Sequence, residues 1–435
     1  MKNTLRTILI VTCLFTPPFA ACNYAAQGYR SFEQMLDDPN PPLPPVQALT
    51  AGPKIHWFSY YDVLEFDPSQ RYVLAMESDF DQRSPTPKDS IQIGMIDLLD
   101  DHRWIELGES RAFGWQLGCR LQWRPGSGTE VLWNDRQEDH FVCRILDIKT
   151  KKMRTLPYPI FHVSPDGLYA LGLDFARLND MDHGYGYPGT DPYAKQVAPT
   201  ESGIYKINLD TGEYEFLLSL AQIAKIRFGE KTTPGKMYFN HIAWSPDGSR
   251  FLFYNRGHRM NTQVYTAAAD GSDIRFLGRD LSHYTWRDPK NILIWVNNAY
   301  RLYSDDGSGK SNVLWEALNG HQTYLHDKNW IVTDTYPLKG GIQHLHLVHL
   351  PTKTFVPLGR FRGTSGYGGE WRCDLHPRIS PDGSKVVFDS THTSQGRQIY
   401  MIDISKIIQS PPQLKSQPSF ISACSKIQEM KGKIK

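Results

Sequence analysis

The sequence predicts an all-β protein, a seven-bladed β-propeller whose blades are four-stranded antiparallel sheets. Three observations support this fold class. A pattern of apolar strand, polar turn and apolar strand occurs seven times along the 435 residues. A further apolar segment follows each of these hairpins, and no stretch has a helical period long enough to compete with the strand pattern.

The seven hairpins supply the first two strands of each blade. They begin at Asp62, Arg120, His162, His241, His283, His321 and His376. The third strands begin at Ser90, His140, Gly203, Thr262, Ala299, Gln343 and Arg397. Several hairpins turn through SPDG, and because Asp-Gly suits a tight turn in any protein, these turns indicate structure rather than function.

The ring must close between its last and first blades. The last blade shows no fourth strand after Ile404, so we expect residues 46–56 to pair with it and close the ring. One domain of seven blades then spans residues 48–405. A β-sandwich is the alternative all-β fold, but a sandwich does not need the same hairpin seven times.

The first 22 residues have the layout of a secretory signal peptide. Lys2 and Arg6 precede an apolar stretch over residues 8–15, and Ala20-Ala21-Cys22 follows. We therefore expect a secreted or periplasmic protein. Alternatively, Cys22 is acylated and anchors the protein by lipid at the cell surface. Residues 23–47, which contain PNPPLPP, suit an extended spacer, and residues 406–435 form a C-terminal tail.

The composition restricts the class of partner. A formal net charge of +2, without a Lys/Arg block in the body of the chain, argues against nucleic acid but leaves room for a local groove that binds an anion. Cys119 and Cys143 fall beside the first and third strands of one sheet, roughly 10 Å apart, so we expect free thiols. We also expect a monomer.

Strand direction brings one set of polar residues to a single face. First strands start, second strands end and third strands start on the same side of a propeller. A lone histidine at a strand end is usually structural, but a whole set on one face predicts a binding or catalytic site near the central channel. The set comprises His140, His162, Tyr238, His241, Arg256, His283, His321 and His376.

The residue types in this set suggest a reaction. No GxSxG, phosphate loop, HExxH or CxxC motif occurs, so hydrolase, nucleotide and zinc-protease functions lack support. His and Tyr can exchange protons, and Arg can bind a carboxylate through two hydrogen bonds. This combination suits β-elimination in a uronic-acid polysaccharide, in which Arg neutralises the carboxylate and His and Tyr act as base and acid.

The sequence also resembles known families. Its SPDG blades are similar to the TolB-like propellers. Longer segments resemble the propeller polysaccharide lyases, namely the ulvan lyases and, more distantly, the oligogalacturonate lyases. These segments are GWQLGCRLQWRPGSGTEVLWNDR from Gly114, YGYPG from Tyr185, NHIAWSPDG from Asn240, HQTY from His321, VTDTYP from Val332 and CDLHPRISPDG from Cys373.

This resemblance implies roles for individual residues. In the ulvan lyases two histidines, a tyrosine and an arginine form the catalytic site, and His140, His162, Tyr238 and Arg256 have similar spacing here. A small shift would place Asn240 at the tyrosine position, and the oligogalacturonate lyases instead use a histidine that could correspond to His241. Gln116 lies in a similar segment and is implied to bind substrate.

The resemblance implies a metal site as well. The three histidines that look like the ligands of these families are His283, His321 and His376, and Cys373 or Asp334 could complete the shell. Imidazole ligands suit zinc or a similar divalent ion. We expect this ion to be structural rather than catalytic.

A long insertion joins the second and third strands of blade 3. Residues 177–201 contain Tyr185, Tyr187 and Tyr193, and both ends of the insertion emerge on the histidine face. Loops of this length are usually functional or disordered. We predict that the insertion forms one wall of the substrate groove, with Tyr185 or Tyr187 facing Arg256; a surface loop packed on itself is the alternative.

Two classes of function therefore stand. The first is a secreted lyase that cleaves an anionic uronic-acid polysaccharide, with ulvan preferred over oligogalacturonate because an exported enzyme meets long polymers. The second is a non-catalytic TolB-like propeller that binds sugar or protein partners.

Overall fold

The computed structural model describes residues 27–229, 231, 235–257, 262–410 and 412–414. The predicted signal peptide, its Cys22 and the tail beyond residue 414 lie outside these residues. Before the first blade the chain forms β1 (Gln27–Gly28), α1 (Phe32–Asp37) and β2 (Gln47–Ala48).

Seven four-stranded antiparallel sheets make up the body of the protein, which confirms the predicted seven-bladed propeller. Blades 1 to 3 contain β3 (Ile55–Trp57), β4 (Tyr72–Ser78), β5 (Ile91–Asp97), β6 (Arg103–Ser110), β7 (Gln122–Trp123), β8 (Glu130–Gln137), β9 (His140–Asp147), β10 (Met153–Leu156), β11 (His162–Val163), β12 (Tyr169–Gly172), β13 (Gly203–Asn208) and β14 (Tyr214–Ser219). Blades 4 to 6 contain β15 (Tyr238–Trp244), β16 (Arg250–Arg256), β17 (Gln263–Ala268), β18 (Arg275–Arg279), β19 (Tyr284–Asp288), β20 (Asn291–Val296), β21 (Ala299–Ser304), β22 (Ser311–Glu316), β23 (Thr323–Tyr324), β24 (Trp330–Thr333), β25 (Ile342–His349) and β26 (Thr354–Arg362).

Blade 7 closes the ring as the sequence predicts. It contains β27 (Arg378–Ile379), β28 (Lys385–Ser390) and β29 (Gln398–Asp403), and its fourth strand is β2 from the start of the chain. Gln47 pairs with Met401 and Ala48 pairs with Tyr400 in antiparallel register. The predicted closing segment divides between two blades, because its last residues, with Trp57, form β3 of blade 1.

The SPDG turns show how sequence produces each hairpin. Between β15 and β16, Asp247 accepts hydrogen bonds from the Ser245 hydroxyl at 2.7 Å and from the Ser249 amide at 3.1 Å. Gly248 adopts a φ of 69°, a left-handed conformation that favours glycine. The apolar residues on either side then pack between neighbouring blades.

The segment that leads into the propeller differs from the predicted spacer. Ser31 caps α1 by accepting a hydrogen bond from the Gln34 amide, and Phe32 and Met35 on one helical face are buried. Phe32 packs against Phe355 of blade 6 at a ring distance of 6.0 Å. β1 also pairs in parallel with β30 (Gln413–Leu414), which follows α4 (Ser405–Ile408), so residues 27–37 and part of the predicted tail pack on the fold. The sequence signal for this helix is the apolar pair Phe32 and Met35, whose spacing of three residues is typical of one helical face.

Blade 1 departs from the predicted hairpin. The strand expected from Asp62 pairs only through Phe66, which bridges to Val73, and Ile55–Trp57 supplies the regular first strand. The intervening residues include the fully buried Tyr60, which reaches the channel. This irregular segment therefore contributes to the candidate site.

The cysteine prediction is confirmed for the thiols that the structure describes. Cys119, Cys143 and Cys373 are free and buried. Burial raises the pKa of the Cys373 thiol to about 12, so this thiol stays protonated near neutral pH.

Two further helices, α2 (Phe175–Met181) and α3 (Leu220–Phe228), flank blade 3. Within the described ranges, no helix combines the length and apolar character needed to cross a membrane.

Candidate active site and metal centre

The first strands of blades 4 to 7 bring four predicted histidines together. His241, His283, His321 and His376 are all buried, with exposed fractions between 1% and 8%. The His321 ring lies 4.0 Å from the His283 ring and 4.3 Å from the His376 ring, measured between centroids. The four histidines therefore converge at the centre of the propeller, as strand direction predicts.

Local backbone geometry directs two of these side chains. His241 has a φ of 49° and His376 a φ of 44°, and Arg120 has a φ of 55° at the start of blade 2. In β15 the register shifts between Asn240 and Ala243, so His241 lies on a bulge. A left-handed conformation costs a non-glycine residue free energy, and such residues concentrate at functional sites.

His321, Asp374 and His376 form a cluster suited to a metal ion. One ligand atom from each residue lies within 4.8 Å of the others. Within the described chain, His321 Nε2, His376 Nε2 and Asp374 Oδ1 are buried and make no hydrogen bond. Buried polar atoms normally have hydrogen-bond partners. Two imidazole nitrogens and one carboxylate oxygen without partners therefore fit the ligand set of a divalent ion.

Asp334 fixes the tautomer of one ligand. The Nδ1–H of His321 faces both carboxylate oxygens of Asp334 at 3.0 Å, and the backbone N–H groups of His321 and His376 donate to the same carboxylate at 2.6 and 3.2 Å. Nε2 of His321 therefore carries a lone pair that is free to bind a metal. This arrangement is typical of the carboxylate that supports a ligating histidine.

His283 lies beside this cluster, with its ring 4.0 Å from the His321 ring, but is not one of its three residues. Its Nδ1 lies 3.1 Å from Asn319 Oδ1, and its Nε2 lies 3.4 Å from the Tyr336 hydroxyl. The cluster contains Asp374 in its place. The sequence signal for Asp374 is its place between Cys373 and His376, two candidate ligands.

Tyr60 is a channel residue that the sequence does not predict. Its ring lies 5.2 Å from His241, where it stacks, and 4.7 Å from His376. Its hydroxyl is buried and has no hydrogen-bond partner within the described part of the chain. No motif marks Tyr60, because it lies in the irregular segment that interrupts blade 1.

Burial keeps three of the channel histidines neutral. It lowers the pKa of His241, His283 and His376 well below 6.5, and neighbouring arginine and histidine side chains lower these pKa values further. Each of these imidazoles can therefore accept a proton or bind a metal near neutral pH.

Arg256, at the end of β16, contacts the insertion of blade 3. Its Nη1 donates to Asp182 Oδ2 at 2.9 Å, and the Tyr238 hydroxyl donates to the same oxygen at 3.4 Å. Burial raises the pKa of Asp182. Arg256 and Tyr238 thus lie together on the predicted face, with Asp182 as their shared acceptor.

The predicted tyrosines of the insertion have different environments. Arg372 Nη2 donates to the Tyr185 hydroxyl at 2.6 Å, and the Tyr185 ring lies 5.6 Å from His241. Tyr187 is fully buried, stacks on Phe175 at 4.2 Å and accepts a hydrogen bond from Asn134. The structure therefore places Tyr185 in the site and Tyr187 in the core.

Gln116 supports the loop that carries Arg372. Its Nε2 donates to the backbone carbonyls of Glu370 at 2.9 Å and Arg372 at 3.0 Å. Arg372 in turn donates to Asp374 Oδ2 at 2.7 Å. Gln116 thereby connects blade 2 to the metal cluster through Arg372.

Within the described residues, neither His140 nor His162 makes a ring contact with the four channel histidines, although the buried His162 Nδ1 has no hydrogen-bond partner there. His162 begins β11, the first strand of blade 3, and burial lowers its pKa. His140 is exposed at the start of β9, a third strand, and so lies roughly 10 Å further from the ring axis than a first strand. The channel cluster includes neither residue.

Comparison with known proteins shows similarity in fold. No family model matches the sequence, and no curated protein matches it. An oligogalacturonate lyase from Vibrio parahaemolyticus has 15% identity and a TM-score of 0.59, with 82% of this chain and 93% of that chain covered. A second oligogalacturonate lyase, in complex with manganese, has 14% identity and a TM-score of 0.62, with 84% and 94% covered.

TolB from Acinetobacter baumannii is a weaker match, with 14% identity, a TM-score of 0.36 and coverage of 64% of this chain and 61% of that chain. The chain is a seven-bladed propeller. The two lyases share its overall fold across most of their length.

Proposed function

We propose that this protein is a polysaccharide lyase that cleaves a uronic-acid-containing polymer by β-elimination. One observation carries the proposal: two arginines, neutral histidines and a cluster of unpartnered metal-ligand atoms converge in one channel. Arg256 and Arg372 supply the positive charge that a carboxylate requires. The similarity of fold to two oligogalacturonate lyases is consistent with this reaction class.

The reaction needs a base, a carboxylate clamp and a proton donor. The base removes the proton next to the sugar carboxylate, the electron pair forms the new carbon–carbon double bond, and the glycosidic oxygen leaves and takes up a proton. Arg256 and Arg372 would bind the carboxylate, which lowers the cost of the developing negative charge.

We assign the base to His241 rather than to Tyr238. His241 is neutral and lies between Tyr60 and Tyr185, and its Nδ1 has no partner within the described residues. Tyr238 instead donates to Asp182, and burial raises its pKa, so its hydroxyl is poorly suited to accept a proton. His140 and His162, which lie outside the channel cluster, take no step in this proposal.

We assign the proton donor to Tyr60. Burial raises the pKa of its hydroxyl well above the usual value near 10, so the group stays protonated until a strongly basic oxygen forms beside it. Its unpartnered hydroxyl and its stacking on His241 place a donor next to the proposed base.

The proposed metal is zinc, held by His321, Asp374 and His376. When bound, a divalent ion would supply positive charge beside the substrate carboxylate and hold blades 6 and 7 together. Imidazole and carboxylate ligands also suit manganese, so both ions belong in any test.

Ulvan is the proposed polymer, and oligogalacturonate is the second candidate. The preference for ulvan depends on the predicted signal peptide, with secretion or lipid anchoring through Cys22. The second candidate is supported by the two lyases of similar fold.

The test is incubation of the purified protein with ulvan, polygalacturonate and heparin, with zinc or manganese present. Ultraviolet absorbance of an unsaturated uronate product should rise with ulvan. A rise with polygalacturonate alone would select the second candidate. No rise with any polymer would contradict the lyase and favour a non-catalytic binding propeller.

A further inference from the structure

A second charged cleft lies away from the channel, between blades 4 and 5. β18 forms one wall, and the end of β20 together with β21 forms the other. The cleft has a volume of about 540 Å³, within the range of small-ligand sites. Leu277, Leu281, Val296 and Tyr303 line it and are buried. The cleft shares no residue with the channel cluster.

Two arginines face this cleft without an acidic partner. Arg279 is exposed at the end of β18 and Arg301 is half-buried in β21, and in the described ranges neither guanidinium makes an ion pair or a hydrogen bond. Arg275 in the same strand is different, because it pairs with Asp273. The cleft therefore has an uncompensated positive charge that suits an anion.

An aromatic ring lies beside the arginines. Phe276 is 40% exposed, and the Arg279 guanidinium carbon lies 5.8 Å from its ring centroid. An exposed flat ring next to guanidinium groups suits a ligand that has both an apolar face and an acidic group. An acidic sugar has both features: the C–H face of its ring can stack on Phe276 and its carboxylate can bind arginine.

One end of the cleft lies on the same face of the propeller as the histidines. β15 starts on the histidine face, so β18, the fourth strand, ends there with Arg279, and Asn297 between β20 and β21 lies on the same side. At the other end, the turn of Gly307, Ser308 and Gly309 between β21 and β22 lines the cleft. The end of the cleft with Arg279 thus lies on the side from which a polymer would reach the channel.

We propose that this cleft is a binding site for an acidic saccharide, with Arg279 and Arg301 contacting its carboxylates and Phe276 stacking on one sugar ring. The site holds a polymer chain outside the reacting centre. It needs no lyase chemistry and extends the proposed function rather than depending on it.

The experiment measures binding of hexagalacturonate by calorimetry. His241→Asn protein serves as the background in every sample, so that the probe is not consumed. Arg279→Gln, Arg301→Gln and Phe276→Ala should each raise the dissociation constant about tenfold or more, since each removes a direct contact. Arg362→Gln, at the end of β26 on the same face of blade 6, is the matched charge control and should bind like the background.

Neutral maltohexaose should not bind, and hexaglutamate should bind at least about tenfold more weakly than hexagalacturonate, because it has charge without a sugar ring. Equal weakening by all three Arg→Gln changes would show a general charge effect and overturn the site. No binding by the background protein, or equal binding of hexaglutamate, would also overturn it. Circular dichroism melting checks that each variant is folded.

The result separates this proposal from the lyase. Hexagalacturonate binding that depends on Arg279 and Arg301, in a protein that cleaves no polymer, would support the cleft and contradict the lyase. Cleavage by a protein whose binding is unaffected by Arg279→Gln and Arg301→Gln would do the opposite.

Discussion

Tyr60 and Tyr61 are adjacent buried tyrosines in blade 1. The hydroxyl of Tyr61 stabilises the fold, whereas the hydroxyl of Tyr60 is available for chemistry. The Tyr61 hydroxyl donates to the Tyr284 carbonyl at 2.8 Å and accepts from the Tyr284 amide at 2.9 Å. The Tyr60 hydroxyl has neither kind of partner in the part of the chain that is described. Removing each hydroxyl therefore has a different expected cost.

Tyr60→Phe should lower lyase turnover on the order of 10²-fold, since it removes the proposed proton donor, and should leave the melting temperature unchanged or higher. Tyr61→Phe should destabilise the fold by about 1–3 kcal/mol, because it leaves the Tyr284 amide unpaired, and should retain most of the activity. Steady-state kinetics and thermal melting give both quantities. Full turnover in Tyr60→Phe would assign the proton donor elsewhere.

The Asp334 carboxylate, which accepts a hydrogen bond from the metal-ligand candidate His321, permits a second test. Asp334→Asn should weaken zinc binding about 10- to 100-fold, since an amide cannot hold the His321 Nδ1–H and both backbone N–H groups equally well. Calorimetric titration of the metal-free protein with zinc and with manganese measures this change. Cys373→Ser is the control, because this buried thiol lies outside the cluster, and it should bind metal normally. Equal affinity in Asp334→Asn would contradict the assigned role.

The site residues that sequence could identify are those at regular positions. His241, His321 and His376 lie at starts of first strands, so hairpin periodicity and strand direction were enough to bring them together. Tyr60 and Arg372 lie in irregular segments whose paths depend on packing between blades, and no period predicts such paths. His140 also lies at a strand start on the same face, but on a third strand. Strand direction predicts the face on which a residue lies and not its distance from the propeller axis.

At the scale of elements, the insertion after β12 joins the channel to the core. Asp182 and Tyr185 contact Arg256 and Arg372, whereas Tyr187 packs on α2. The sequence predicted a tyrosine wall for the groove. The structure places Tyr185 and Tyr187 in different environments. They lie in an irregular loop, where the alternation of side chains found in a strand does not predict which way each residue faces.

Tyr185→Ala should raise KM for a long polymer more than it lowers turnover, as expected when contact with bound substrate is lost. Tyr187→Ala should instead lower the free energy of unfolding by about 3 kcal/mol or more, because it leaves a cavity in the core. Kinetics on ulvan and on polygalacturonate, combined with denaturant unfolding, separate the two effects. A normal KM in Tyr185→Ala would remove this residue from substrate binding.

At the scale of the whole molecule, the chain ends hold the ring closed. β2 completes blade 7, α1 packs on blade 6, and β1 pairs with β30. Sequence predicted the first of these contacts, because the last blade visibly lacked a strand. The other two depend on short segments that carry no repeat, and so the sequence pattern predicts only a spacer and a tail there.

Buried histidines make the stability of the ring depend on pH. His346 lies between Phe32 of α1 and Phe355, and burial lowers its pKa from 6.5 to about 3. The unfolded chain therefore binds a proton below pH 6.5 that the folded protein does not. The free energy of unfolding should fall by about 1.4 kcal/mol per pH unit for this group as the pH decreases below 6.5.

His346→Leu should reduce this slope by about that amount, since leucine does not titrate and its neighbours are apolar. Denaturant unfolding at several pH values between neutral and mildly acidic measures the slope. His326→Leu, at an exposed site in the turn between β23 and β24, is the control and should leave the slope nearly unchanged. An unchanged slope in His346→Leu would show that this histidine is protonated in the folded state.

The most direct test of the lyase is to carry out the cleavage in water enriched in heavy oxygen and to weigh the products by mass spectrometry. Elimination predicts one unsaturated product that is lighter by the mass of one water than its hydrolytic counterpart, with no heavy oxygen incorporated, and no product from Arg256→Gln. Hydrolytic products that carry the heavy oxygen, or cleavage that survives the loss of Arg256, would contradict the account.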